Sequence, residues 1–169
     1  YQAIPQDGYT KMVENILRNP LIKVELNTDF NDVKDQIEYE RLFFSGAIDE
    51  FFNYELGRLP YRSLDIVFRK HNCEYLQSGP QLNLPENYDY TRSVEYKYYL
   101  GEKSDKTIVS YEYPCVYEEG KNERYYPIPD EDNQHLYSEY LNKAKELKSV
   151  YFIGRLGDYK YYNMDQTVL

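Results

Sequence analysis

Apolar positions recur at helical spacing in two parts of the chain. Met12, Val13, Ile16 and Leu17 share one helical face, opened by Thr10 as N-cap and stopped by Asn19-Pro20. Leu136, Tyr140, Leu141 and Leu147, with Ala144 filling in, mark the buried stripe of a longer helix over 131–148. A short helix is expected from Ala47 to Glu55, after the turn at Gly46, with Phe51 and Phe52 inward. Other stretches follow the period of a strand. Leu21 to Leu26 alternates, Arg41 to Ser45 ends in a glycine turn, and Val150 to Ile153 is continuously apolar, as in a buried strand. Between them, Tyr61–Arg69, Glu74–Leu82, Arg92–Leu100 and Thr107–Tyr113 are short, aromatic or β-branched, and divided by turn residues. They predict an antiparallel meander of about four strands, followed by a long loop from Pro114 to Pro129.

Composition sharpens this picture. The chain of 169 residues holds 22 Tyr and 7 Phe but no Trp. Tyrosine joins apolar area to a polar tip, so this many imply sheets with half-wet faces or a pocket lined with hydroxyls. The net charge of −9 is spread along the chain. It excludes nonspecific nucleic-acid binding, which needs a basic surface, and an anion would have to be held by a few focused arginines. Cys73 and Cys115 lack C-x-x-C spacing, which fits a reducing cytoplasm and no structural zinc; a disulfide between them is the other option. No apolar run has the length of a membrane span and no signal peptide is visible, so a cytoplasmic location is expected. The chain opens at Tyr1 rather than Met and stops at Leu169 just after a helix begins, which reads as a piece of a longer protein.

The C-terminal segment carries the most specific chemistry. The strand Val150–Ile153 ends at Gly154, Gly157 follows in a turn, and Asp165 and Gln166 open a helix. A strand passing through glycines into a helix start leaves backbone N–H groups exposed, which suits a phosphate or the electron-rich edge of a flavin. Three further motifs stand out: Leu59-Pro-Tyr-Arg-Ser-Leu64, Asn83-Leu-Pro-Glu-Asn-Tyr-Asp-Tyr-Thr-Arg92 and Asn122-Glu-Arg-Tyr-Tyr-Pro-Ile-Pro129. Each has an ordinary alternative: Arg62 and Arg92 as surface ion-pair partners, Tyr159 and Tyr161 as one face of an extended segment, Tyr125 and Tyr126 as loop packing. Paired carboxylates for a glycosidase could be sought in Asp49-Glu50 or Asp130-Glu131-Asp132, but neighbours in sequence do not face each other across a bond, and such runs are expected as solvated faces. His71 and His135 have no nucleophile beside them in the sequence.

Taken in order, Ile4-Pro-x-x-Gly-Tyr-Thr10, Phe44-Ser-Gly-x-Ile-Asp-Glu-Phe-Phe52, Leu59-Pro-Tyr-Arg62, Tyr90-Thr-Arg92, Tyr125-Tyr-Pro127 and Phe152-x-Gly-Arg-Leu-Gly-x-Tyr-x-Tyr161 resemble the bacterial UDP-galactopyranose mutase family over nearly the whole chain. The resemblance implies an isomerase that interconverts UDP-galactopyranose and UDP-galactofuranose through a covalent adduct of the sugar on N5 of reduced FAD, with no net redox. It implies Arg92 and Arg62 as catalytic residues, with Arg92 on the substrate diphosphate. Asn83, Tyr125, Tyr126 and Tyr161 are implied as substrate-binding, and Gly154, Arg155, Leu156, Tyr159 and Asp165 as flavin-contacting; no metal is implied. The partners implied are UDP-galactose and, for the parent protein, a second copy in a homodimer, with neither nucleic acid nor membrane.

The fold class implied is α/β (α+β): an antiparallel substrate-side sheet of about four strands, plus pieces of a parallel flavin-domain sheet (Leu21–Leu26, Arg41–Ser45, Val150–Ile153) with flanking helices. Its division would place part of the flavin-domain sheet in 1–56, the substrate-side sheet in 57–129, and the helix, strand and flavin-contacting motif in 130–169. The chain departs from the family in lacking Gly-x-Gly-x-x-Gly for the FAD pyrophosphate, the helical uridine-gripping lobe and a mobile loop with a second arginine, so FAD is not expected to be retained by this stretch alone. Arg124 and Asn163 stand where the family often has proline and aspartate. The alternative function is a non-catalytic, tyrosine-rich module that binds a sugar or a protein partner.

Overall fold

The computed structural model describes residues 4–85 and 88–168; Glu86 and Asn87, within the Asn83–Arg92 motif, lie outside the described residues, as do 1–3 and Leu169. Contacts divide the chain into two compact units, one built from 1–38 and 67–111, the other from 39–66 and 112–169. The fold class is mixed α/β with two sheets. Strands β1 (Leu42–Phe44) and β7 (Val150–Phe152) pair in parallel, with Leu42 opposite Val150 and Phe44 opposite Phe152. The antiparallel sheet has five strands in the order β3 (Gln81–Asn83), β4 (Arg92–Glu95), β5 (Thr107–Val116), β2 (Tyr61–His71) and β6 (Tyr126–Pro127). The strand beyond the expected four, β6, comes from the loop before Pro129. Its proline sits on the outermost strand, where a missing N–H costs no ladder bond.

The second unit holds an aromatic core. Helix α3 (Ile48–Phe51), helix α5 (Glu131–Ala144) and the start of β2 bury Ala47, Ile48, Leu59, Tyr61, Tyr140 and Tyr159, with Phe52, Leu136, Leu141, Ala144, Phe152 and Leu156 packed around them. The sequence stripe on α5 therefore faces inward, except that the helix stops at Ala144 and leaves Leu147 beyond it. Asp130 caps α5 by accepting from the Asn133 N–H at 2.9 Å, and Glu131 and Asp132 occupy its first turn, where negative charge favours a helix start. This capping role replaces the glycosidase pairing considered for that run. Phe44, Phe51, Phe52 and Phe152 meet in edge-on and stacked contacts with ring centroids 5.0–6.0 Å apart, so the expected inward turn of Phe51 and Phe52 holds.

Two buried tyrosines of this core, Tyr140 and Tyr159, have their hydroxyls satisfied by backbone. The Tyr140 hydroxyl donates to the Gly57 carbonyl at 2.6 Å and accepts from the Leu56 N–H at 3.1 Å. The Tyr159 hydroxyl lies 2.7 Å from the Pro60 carbonyl and 3.0 Å from the Ile128 carbonyl, and accepts from the Ile128 N–H at 3.1 Å. Burial pushes the Tyr159 and Tyr137 phenols up to about 12 and raises that of Tyr61 further. An unfolded chain loses these protons near pH 10 while the folded one keeps them. Stability should therefore fall as pH rises above 10, by about 1.4 kcal/mol per pH unit for each such group. Urea unfolding across this range should show the slope, and Tyr159→Phe should reduce it by one proton; an unchanged slope would contradict the assignment.

In the first unit the structure corrects several expected elements. Helix α1 (Gly8–Ile16) starts earlier than Thr10 predicts, with Asp7 as its N-cap residue. The strand expected at Leu21–Leu26 is absent: the segment is irregular, its apolar side chains are exposed, and it has no strand partner to fill its hydrogen bonds. The strand expected at Glu74–Leu82 shrinks to β3 because Glu95 takes the upstream amides. Its fully buried carboxylate accepts from the Leu76 N–H at 3.0 Å and the Gln77 N–H at 2.8 Å. Burial alone would raise the Glu95 pKa, but the Thr107 hydroxyl, these two amides and the nearby Lys97 ammonium outweigh it and lower it. The strand expected at Arg92–Leu100 ends at Glu95 and turns into helix α4 (Lys97–Leu100), which Gly101 closes in the left-handed region at φ 65°. Buried Lys97 fixes that turn, its ammonium donating to the carbonyls of Glu74, Ser104 and Lys106 at 2.5, 2.8 and 3.2 Å.

Candidate functional site

Each unit brings together part of the expected residue set. In the first, the pairing of β3 with β4 sets Asn83 directly opposite Arg92, and the Arg92 Nε–H donates to the Asn83 side-chain oxygen at 3.1 Å. The same oxygen accepts from the Gln81 amide at 3.2 Å. The two ends of the motif, Asn83 on β3 and Arg92 on β4, thus meet, with an arginine held in plane by an asparagine.

In the second unit, β2 and β6 set Arg62 opposite Tyr126, and the Tyr125 N–H donates to the Arg62 carbonyl at 2.9 Å. The rings of Tyr125 and Tyr126 lie 4.2 Å apart between centroids, and those of Tyr126 and Tyr161 5.3 Å apart. The Arg155 guanidinium sits 4.3 Å from the centre of the Tyr161 ring, while its Nε–H donates to the Tyr162 carbonyl at 2.6 Å. Its two terminal NH₂ groups make no hydrogen bond or ion pair among the described residues. Arg62 is exposed and likewise makes no ion pair among them, so the surface-pair alternative for Arg62 does not apply. The result is a row of phenols, Tyr125, Tyr126 and Tyr161, with a fixed cation at one end. A cleft of about 420 Å³ is lined by Tyr126, Pro127, Tyr137, Asp158 and Tyr161, among others.

The other expected flavin contacts are placed by the strand-to-helix turn. Helix α6 (Gly154–Gly157) follows β7 directly. Gly154 has φ 75°, a left-handed conformation, and a Cβ there would meet only the Thr167 methyl at 3.9 Å. Gly157 serves differently: a Cβ would come within 3.1 Å of the Phe152 carbonyl carbon and 3.4 Å of the Phe44 carbonyl oxygen, where the two parallel strands pass. Gly154→Ala should therefore cost about 1–2 kcal/mol through backbone strain. Gly157→Ala should cost about 1–3 kcal/mol through overpacking. Thermal unfolding of both variants tests this, and a neutral Gly157→Ala would contradict the packing role. Leu156 packs against the core, and Tyr159 is 1% exposed with its hydroxyl turned to Pro60 and Ile128. Asp165 is exposed in the first turn of helix α7 (Met164–Val168), which Asn163 and Gln166 brace through the Asn163 N–H to Gln166 bond of 2.9 Å.

Sequence reasoning missed two members of this region. Tyr137 lines the cleft beside Tyr126 and Tyr161, and its position one residue after Leu136 on the buried stripe was the available signal. Asp49 was expected on a solvated face; it is 1% exposed, its Oδ2 accepting from the Leu59 N–H at 2.9 Å and its pKa raised by burial. Nothing in an acidic run marks which member points inward. Among the described residues no group of His, Cys, Asp and Glu could hold a metal ion, both cysteines are free thiols, and no helix is long and apolar enough to cross a membrane.

Comparison with known proteins places the chain as a whole. The sequence model of UDP-galactopyranose mutase matches residues 1–161. The chain is 39% identical to UDP-galactopyranose mutase of Mycoplasma genitalium, over 99% of this chain and 45% of that protein. It is 36% identical to dTDP-fucopyranose mutase of Escherichia coli, over 99% of this chain and 46% of that protein. To UDP-galactopyranose mutase of Mycoplasma pneumoniae it is 34% identical, over 99% of this chain and 45% of that protein. The chain thus spans about half the length of the curated relatives it matches. With a match of this extent, the chain belongs to the UDP-galactopyranose mutase family.

Proposed function

We propose that this chain forms part of a sugar-nucleotide mutase that interconverts the pyranose and furanose forms of a nucleotide-linked hexose, with UDP-galactose as substrate. The observation that carries this reading is the row Tyr125–Tyr126–Tyr161 ending on the fixed Arg155, within a chain of this family. A dTDP-linked 6-deoxyhexose is the second substrate choice, on the strength of the relative named for dTDP-fucopyranose.

The reaction breaks the bond between the anomeric carbon and the diphosphate, so negative charge grows on the leaving group. Phenol hydroxyls and an arginine held in place before the reaction stabilise that charge with little reorganisation. We assign Tyr126 and Tyr161, in the second unit, to donate hydrogen bonds to the diphosphate. Separately, and from the family resemblance alone, we assign Arg92 of the first unit, steadied by Asn83, as a catalytic charge. Arg62 we assign to the sugar. FAD fits the residues at the strand-to-helix turn: Arg155 offers two terminal NH₂ groups with no partner among the described residues, beside Gly154, whose φ of 75° brings the backbone round without a side chain. Gly154, Arg155 and Leu156 would hold the ring, with Asp165 near it, and reduced FAD when bound supplies the nucleophile for the anomeric carbon. Arg155 favours the anionic form of the reduced ring by its charge alone.

The hydroxyl of Tyr161 provides the test. Tyr161→Phe keeps the ring on which Arg155 rests and removes one donor to a charged acceptor, a loss of about 1.5–3 kcal/mol. UDP binding measured by calorimetry on the protein expressed from its full coding sequence should weaken at least tenfold. An unchanged affinity would remove Tyr161 from the diphosphate site.

A further inference from the structure

We infer that the second unit binds one internal water molecule, held jointly by the Asp49 carboxylate, the Tyr61 hydroxyl and the Arg124 Nε–H. Asp49 is 1% exposed and Tyr61 2%. Asp49 Oδ1, Tyr61 Oη and Arg124 Nε are each buried and have no hydrogen-bond partner in the protein. The remaining atoms of the two charged side chains are well used. Asp49 Oδ2 accepts from Leu59, Arg124 Nη1 pairs with Glu50 at 2.7 Å, and Arg124 Nη2 donates to the Tyr54 hydroxyl at 3.1 Å. The side chains are therefore fixed, and only their inward-facing atoms stay open. The amides of Asp49 and Glu50 act on the same carboxylate as weak backbone hydrogen-bond partners that lower its pKa, at a geometry that falls short of pairing Oδ1.

Three links connect these groups within the second unit. The Arg124 guanidinium carbon is 5.7 Å from the centre of the Tyr61 ring. Glu50, which holds Arg124, adjoins Asp49, and Leu59, which Asp49 holds, is two residues from Tyr61. The Asp49 and Arg124 charges both act on Tyr61, and the Arg124 charge acts on Asp49. Their chemistry is also complementary. A carboxylate oxygen only accepts, an arginine Nε only donates, and a phenol does either. None of the three contacts another directly. A water molecule, with two donors and two acceptors, serves all three, and three polar partners is the usual number for a buried water. Tyr61 belongs to the buried core with Ala47, Ile48, Leu59, Tyr140 and Tyr159, which favours water over a larger ligand.

This water ties α3, the start of β2 and the segment before β6 together. Arg62 follows Tyr61 and Tyr125 follows Arg124 in sequence, so the water braces the backbone pair through which Tyr125 bonds Arg62. The inference does not depend on the substrate proposed above. The test is a high-resolution crystal structure, together with oxygen-17 relaxation dispersion, which detects water that exchanges slowly. The expected result is one density peak within hydrogen-bond reach of Asp49, Tyr61 and Arg124. A long-lived water should appear in the dispersion, with a residence time shortened in Tyr61→Phe. A wild-type crystal with the three atoms paired directly to one another, or with no peak between them, overturns it. If Tyr61→Phe fails to fold, the wild-type measurements decide alone.

Discussion

Arg92→Ala in the protein expressed from its full coding sequence should lower kcat roughly 100- to 1000-fold, the usual loss for one transition-state donor. The loss should fall on kcat more than on KM, because the arginine matters most as charge grows on the departing diphosphate. The pairing across β3 and β4 makes the prediction sharper. Arg92 Nε is already committed to Asn83 at 3.1 Å, which fixes the plane of the guanidinium. Arg92→Lys keeps the charge without the fork and should fall between wild type and alanine. Asn83→Ala should reduce turnover less than Arg92→Ala, since it loosens the arginine without removing it. Steady-state kinetics with reduced FAD and UDP-galactofuranose measures all three. Near-normal turnover in Arg92→Ala would remove this residue from the chemistry.

The largest stability effect is expected at Tyr159. Tyr159→Ala should destabilise the fold by about 3–5 kcal/mol, as for other large aromatic truncations in a core. For a chain of this size that lowers Tm by roughly 6–20 °C. Two contributions combine. The ring is 1% exposed and packs edge-on against Tyr61 at 5.3 Å and near Tyr137 at 5.7 Å. Its hydroxyl joins the backbone of Pro60 to that of Ile128, two segments 68 positions apart. Tyr159→Phe separates the contributions: it keeps the ring and leaves the Ile128 N–H without that partner, for about 1–3 kcal/mol. The residue also sits at φ 44°, where a non-glycine side chain is disfavoured, so burial of the ring outweighs local backbone strain. Thermal melts of both variants give the comparison, and a Tyr159→Ala protein as stable as Tyr159→Phe would show the ring contributes nothing.

What the sequence made legible follows from period and composition. The long stripe on α5 was readable because tertiary packing agrees with its spacing at Leu136, Tyr140, Leu141 and Ala144. Val150–Phe152 was readable as a strand because apolar residues run continuously into a glycine, but it is not the buried strand expected, since Tyr151 and the following Ile153 are exposed. Leu21–Leu26 carried an equally good alternation, but alternation states only which faces a strand would have; a ladder also needs a neighbour. The boundaries at Leu76–Gln77 and at Glu95–Lys97 were unreadable because two buried charges decide them, through bonds to backbone 18 to 23 residues away.

The candidate site shows the same division. The strand-to-glycine turn that positions Gly154 and Arg155 was legible because a local motif holds it. That Arg62 would stand opposite Tyr126 was not, since that register depends on a two-residue strand containing a proline. Asp49 and Glu50 looked alike as letters. One is buried against Leu59 and the other pairs with Arg124, and only the fold of α3 separates them.

The measurement that tests the central claim most directly is turnover of UDP-galactofuranose by the protein expressed from its full coding sequence, with FAD held reduced and the products separated by chromatography. The account predicts UDP-galactopyranose as the product, formed with no net consumption of reductant and lost when FAD stays oxidised. Failure to interconvert the ring forms of either UDP-galactose or dTDP-fucose, with the protein folded and FAD reduced, would contradict it.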